Sequence, residues 1–146
     1  MFKRRLTCLF SKKIILIILS LSTALCMRAQ KYYVSSSLGN DLNNGLSVQT
    51  PFKSIEKLNS INFNAGDSIC FKSGDYWEGM FWLKGSGTLT EPIVVDVYDG
   101  NTKPIINGFG YQASVLIFND QHIHINGLEL YNSADHFDSA STTTIS

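Results

Sequence analysis

Apolar residues recur at Ile69, Phe81, Ile93, Ile105 and Ile117, a constant step of 12 residues through the middle of the chain. Two steps make 24 residues, the length of one coil of a solenoid, in which a turn of chain cannot bury its own apolar face and must stack on the next. Short β-rich runs carry this rhythm: Ser68 to Phe71, Met80 to Leu83, Ile93 to Val97, Lys103 to Ile106, Ser114 to Phe118, His122 to Asn126 and Leu128 to Tyr131. Gly, Asn, Asp and Ser, the residues of tight turns, separate them. The reading is all-β. Ile106-Asn107-Gly108 is echoed by Ile125-Asn126-Gly127, each turn following an apolar strand. Spacing alone leaves an antiparallel sandwich equally open, because Asn-Gly between alternating strands is also a hairpin turn.

One segment reads as helix. Thr50 is placed to cap, Pro51 suits the first helical position, and Phe52, Ile55 and Leu58 follow at three-residue spacing until Asn59 closes the turn.

The first 29 residues read as an export signal. Lys3, Arg4, Arg5, Lys12 and Lys13 lead into an apolar run from Ile14 to Leu25, then a short exit through Met27-Arg28-Ala29, with cleavage expected after Ala29. A run of 12 residues is too short for a stable membrane span. Cys26 raises a lipoprotein alternative, which the large Leu25 before it disfavours. The expected destination is extracellular or the cell surface.

Removing this segment takes away six of the 12 basic residues and none of the 12 acidic ones, so residues 30–146 carry −6 and contain no Arg. That composition excludes a nucleic-acid partner, which needs a basic footprint. It also implies that an acidic sugar would need a bridging cation, calcium in the full-length protein, or lysines placed for it. No cofactor is expected within the fragment itself. Cys70 is the one cysteine outside the signal. It cannot form an internal disulfide and, lying on an apolar alternation, reads as buried.

Several successive motifs carry a resemblance. Tyr32-Tyr33-Val34-Ser35, Gly39-Asn40-Asp41-Leu42-Asn43-Asn44-Gly45 and Thr50-Pro51-Phe52-Lys53-Ser54-Ile55 come first. Ala65-Gly66-Asp67, Lys72-Ser73-Gly74-Asp75-Tyr76-Trp77, Lys103-Pro104-Ile105-Ile106-Asn107-Gly108 and Ile123-His124-Ile125-Asn126-Gly127 follow in order. Together they resemble the opening portion of secreted right-handed parallel β-helix proteins of the pectate-lyase-like superfamily. The resemblance implies a right-handed solenoid whose helix near Pro51 covers its open end. It implies 30–64 as the N-terminal strand and capping helix, and 65–146 as the first three to four coils of a longer, C-terminally truncated domain. It implies a polysaccharide partner and, if the parent is an enzyme, a polysaccharide lyase or glycoside hydrolase on acidic glycans, with catalytic groups on later coils. The alternatives are a non-catalytic glycan-binding or adhesin-type β-helix, and a cupin-like or sandwich domain.

Candidate chemistry is sparse. Asp41, Asn43 and Asn44 crowd oxygens into one turn, as a calcium loop does, but Asx-rich turns commonly satisfy their own backbone. His122 and His124 alternate, with Glu129 five residues on, a string similar to the first metal motif of cupins but without its flanking glycines, so an outward, solvated pair is the better reading. Tyr76, Trp77, Phe81 and Trp82 form an aromatic cluster whose alternation suits the core and turns of a coil before sugar contact; if one member is exposed and binds substrate by stacking on a sugar ring, Trp77 is the expected one. Asp75 with Glu78, and Asp96 with Asp99, are carboxylate pairs near in sequence, a property that says nothing of their separation in space. No catalytic residue is assigned.

Overall fold

A computed structural model describes residues 28–133. Most of the segment read as an export signal, and the polar tail from residue 134, lie outside the described residues. Nine short strands and one helix follow each other as β1 (Lys31–Val34), α1 (Ile55–Asn59), β2 (Ser68–Lys72), β3 (Tyr76–Glu78), β4 (Phe81–Leu83), β5 (Ile93–Tyr98), β6 (Ile105–Asn107), β7 (Val115–Ile117), β8 (Ile123–Ile125) and β9 (Glu129–Tyr131).

The strands form three sheets: sheet A in the order β1-β2-β5-β8, sheet B as β3-β6-β9 and sheet C as β4-β7. From β2 onward the chain visits A, B and C in turn and returns to A one strand further along. Every strand pairing is parallel, so the Asn-Gly turns are not hairpins and the antiparallel sandwich is excluded for the described residues.

The register corrects the expected 12-residue step. Ser68 lies opposite Val94, a circuit of 26 residues, whereas Ile105 lies opposite Glu129 after 24 and Phe81 opposite Val115 after 34. Ile69 therefore pairs with Val95 rather than stacking on Ile93. The circuits differ because the turns between sheets carry unequal numbers of residues, and a parallel ladder is indifferent to how much chain leaves it and comes back. Ile69, Phe81 and Ile93 are nonetheless fully buried. The Ile106-Asn107-Gly108 and Ile125-Asn126-Gly127 turns close strands of different sheets, B and A, and do not stack on each other.

On β3 and β4 alternation selects the buried row. Phe71 on β2, Trp77 on β3 and Phe81 on β4 meet between the sheets, Phe71 edge-on to Trp77 at 5.1 Å and to Phe81 at 5.5 Å. Such aromatic contacts add to the burial of large apolar surfaces.

The helix begins later than expected. Thr50, Pro51 and Phe52 are not its first turn: Phe52 bridges Val34 in parallel, its N–H donating to Tyr33 O and its carbonyl accepting from Ser35 N, both at 2.9 Å. This stretch shields the outer edge of β1. Gly45, at φ +71°, lies where a Cβ would run into the Phe52 ring. Ser54 is the observed cap, its Oγ accepting from Lys57 N at 3.1 Å, and the helix buries Ile55 and Leu58. Its last residue covers the edge of sheet C. Asn59 Nδ2 donates to Met80 O at 2.9 Å and its Oδ1 accepts from Trp82 N at 2.8 Å, so one side-chain amide satisfies backbone groups that a neighbouring strand would otherwise take.

Candidate functional site

Sheet B turns two rows of side chains outward, fixed by its register. Tyr76, Ile105 and Glu129 form one row across β3, β6 and β9, and Glu78, Asn107 and Tyr131 form the other. Tyr76 and Tyr131 are about two-fifths exposed, at 40% and 41%, and both glutamates are exposed. At the centre Asn107 is buried with its amide fully used. Its Nδ2 donates to Tyr76 Oη at 3.2 Å and to Ser133 Oγ at 3.3 Å, while its Oδ1 accepts from Phe109 N and Ser133 N. Tyr76 Oη donates in turn to Glu78 Oε1 at 3.2 Å. The Tyr76 phenol is pulled down in pKa by the Asn107 amide, but burial and the Glu78 carboxylate outweigh this and hold it above its ordinary value.

Two phenol rings on one face, with carboxylates and an oriented amide beside them, match the two chemistries of a sugar: an apolar C–H face and a rim of hydroxyls. Glu78 and Glu129 stand two strands and two residues apart, so their Cα atoms are about 12 Å from each other by sheet geometry.

The expected site residues distribute differently. Trp77 is not the exposed aromatic: it is 5% exposed, its ring lies in the core and its Nε1 donates to Lys53 O at 2.9 Å. The alternation in Tyr76-Trp77-Glu78 runs opposite to the expected sense, which turns Tyr76 outward. Trp82 is exposed, but Lys84 Nζ stands 4.7 Å from its ring centre. Asp75 and Glu78 face different surroundings, Asp75 being buried and bound by Ser35 and Ser37. Asp96 Oδ1 accepts from its neighbour Val97 N, whereas Asp99 pairs with Lys72 Nζ at 3.1 Å.

The metal motifs do not assemble. His122 precedes β8 with φ +55°, outside the strand's alternation, and His124 lies on sheet A while Glu129 lies on sheet B. Among the described residues no group of three His, Cys, Asp or Glu side chains comes together to hold a metal ion. The oxygens of the Asp41 turn are engaged internally. Asp41 Oδ1 accepts from Lys53 N and Ser54 N, and Asn44 Oδ1 accepts from Leu46 N and Thr50 Oγ1, while Asn43 Nδ2 donates to Pro51 O. Burial of Asp41 raises its pKa less than these Ser54 and Lys53 contacts lower it, so the carboxyl stays below its ordinary range.

Cys70 is buried as expected, yet it points away from the core. It lies between Ile69 and Phe71 on β2, in the outward row of sheet A with Tyr33 and Asp96. Burial pushes its thiol up in pKa against the pull of the Lys31 ammonium. The segment between β1 and α1 folds over this face and forms a groove of about 400 Å³.

No family model matches the chain. A lacto-N-biosidase from Bifidobacterium longum subsp. longum is 34% identical over 89 residues, covering 57% of this chain and 6% of that protein. The crystal structure of a GH136 lacto-N-biosidase from Eubacterium ramulus superposes with a TM-score of 0.67 at 25% identity, over 75% of this chain and 21% of that one. Its selenomethionine derivative gives 0.64 at 22% identity, over 80% and 23%. The chain thus spans under a quarter of each of these proteins. These relatives are glycoside hydrolases on a β-rich fold.

Proposed function

We propose that this chain forms coils of a right-handed parallel β-helix in an exported glycan-active hydrolase, with the outer face of sheet B as a surface that contacts the sugar chain. The observation that carries this reading is the structural likeness to a lacto-N-biosidase over three-quarters of the chain. Hydrolysis replaces lyase chemistry as the favoured reaction because the relatives are hydrolases. Tyr76 and Tyr131 would support sugar rings, and Glu78 and Glu129 would accept hydrogen bonds from hydroxyls. The two glutamates are assigned a binding role and no catalytic one. A hydrolytic pair with carboxyls roughly 5 to 9.5 Å apart is expected on coils outside this chain. Export rests on the basic, apolar and exit regions of residues 1–29. Calcium is proposed for the full-length protein, as the bridge between an acidic glycan and an acidic chain.

The test is to incubate the full-length gene product with neutral and acidic oligosaccharides, following reducing ends together with the ultraviolet absorbance of unsaturated uronate ends. New reducing ends without that absorbance are expected. Absorbance rising with cleavage would establish a lyase, and no cleavage of any glycan would favour the adhesin-type alternative.

A further inference from the structure

We infer that the groove over the outer face of sheet A is a separate saccharide subsite, which takes a sugar residue bearing a carboxylate and uses Lys31 as the counter-charge. Its floor is aromatic. Tyr33 of β1 and Tyr98 of β5 meet edge to face at 5.2 Å and 85°, and both line the groove. Its rim is apolar, with Leu38 at 68% and Val48 at 45% exposure. Two aliphatic side chains held open to water beside an aromatic floor suit the C–H face of a sugar ring.

The wall that presents them is tied down before any ligand arrives. Tyr33 N donates to Gly45 O at 2.7 Å, Ser37 is bound through backbone and hydroxyl to Asp75, and Asp41 holds Lys53 N and Ser54 N. A preformed wall lowers the ordering cost of binding.

Charge selects the class of sugar. Lys72 at one end is paired with Asp99 at 3.1 Å, which leaves that end neutral but rich in partners for hydroxyls. Lys31 at the other end forms no ion pair among the described residues; its ammonium lies 5.7 Å from the Tyr33 ring centre and beside the Cys70 thiol. Asp96, opposite Cys70 in the sheet, does not line the groove and accepts from Val97 N. In a region that carries −6 overall, an unpaired ammonium at the mouth of an aromatic groove is where an anionic sugar can approach. A carboxylate there would gain a charge-assisted hydrogen bond.

The experiment titrates the full chain calorimetrically with trigalacturonate and with its fully methyl-esterified form, which keeps the rings and removes the charge. Trigalacturonate should bind, the ester about tenfold more weakly, and Lys31→Gln should weaken acid binding by about the same factor, the size of one charge-assisted contact. Lys31→Arg should keep it, as should Lys103→Gln at an exposed lysine outside the groove, with near-ultraviolet circular dichroism matching in all variants. Equal affinity for acid and ester, wild-type binding by Lys31→Gln, equal weakening by Lys103→Gln, or no binding of the acid would each overturn the assignment. Because the readout is binding alone, the result is independent of whether the parent protein hydrolyses glycans.

Discussion

Ser35 Oγ donates to Asp75 Oδ2 at 2.7 Å, joining the residue after β1 to the residue before β3 across 40 positions of sequence. Ser37 adds two more bonds to the same carboxylate, at 3.2 Å from its N–H and 2.8 Å from its hydroxyl. Burial opposes ionisation of Asp75, but these bonds and nearby Lys72 outweigh it and hold the pKa below the ordinary value of 3.8. A lowered folded pKa means stability that is present above the unfolded value and lost as pH falls through the folded one. Asp75→Ala should cost about 2 to 3 kcal/mol at neutral pH by orphaning its donors, and should flatten the acid limb of the stability profile measured by denaturant unfolding. An unchanged acid limb would refute this role.

Tyr98 gives the opposite pH dependence. Burial first, then the Asp75 and Asp99 carboxylates, push its phenol up to about 12 from 10.0. The folded form resists ionisation more than the unfolded chain, so its contribution is complete below 10.0 and lost as pH rises towards 12. Thermal unfolding across that window should show falling stability, and Tyr98→Phe should fall less steeply. Identical slopes would exclude Tyr98 as the source.

Trp77 and Tyr131 should separate core from surface. Trp77→Ala removes a buried ring and should cost about 3 to 5 kcal/mol. Tyr131→Ala should change stability by less than about 1 kcal/mol, and should weaken glycan binding in the full-length protein. Intact binding in Tyr131→Ala would count against the sheet B face as the contact surface.

Asn59 can be tested as the cover of sheet C. Asn59→Leu keeps the bulk but leaves Met80 O and Trp82 N without their partner, and should destabilise by about 1 to 3 kcal/mol. Hydrogen exchange at Trp82 should rise with it. Protection that survives the substitution would mean that the helix itself, and not the amide, guards β4.

The other end of the stack is open among the described residues. Ile117 is in register with Leu83, yet Leu83 is fully buried and Ile117 39% exposed, and Leu130 on β9 is 45% exposed. No strand pairs with the far side of β7, β8 or β9 there. Edges of this kind recruit other chains. The isolated chain should sediment with increasing mass as concentration rises, and Leu130→Lys should reduce the effect. A concentration-independent monomer would show that these edges are covered.

Much of this fold is legible in sequence because turn residues punctuate it. The expected strands are found to within about two residues of their expected ends, and β3, only three residues long between turns, is the one not anticipated. The 12-residue rhythm misleads because it reports apolar frequency, while register depends on turn lengths that differ from circuit to circuit. The helix start was displaced by Pro51, whose fixed φ suits an extended shield on β1 as well as a first helical turn. The sheet B face was not legible at all. Tyr76, Asn107 and Tyr131 are far apart in sequence, and only the register of three parallel strands makes them neighbours. Asn107 carries one signal, the Asn-Gly pair, but that pair is ordinary turn chemistry and does not point to a surface.

The unequal circuits also bear on how such a molecule can diversify. The path from Phe81 to Val115 spends ten residues more than the path from Ile105 to Glu129, yet both deliver a strand to its ladder in the same orientation. Mutation can therefore lengthen or exchange a connecting loop, including the 35–50 segment that walls the Lys31 groove, without relocating any rung. New specificities could be grafted onto one inherited frame by trading loops while the frame stays still.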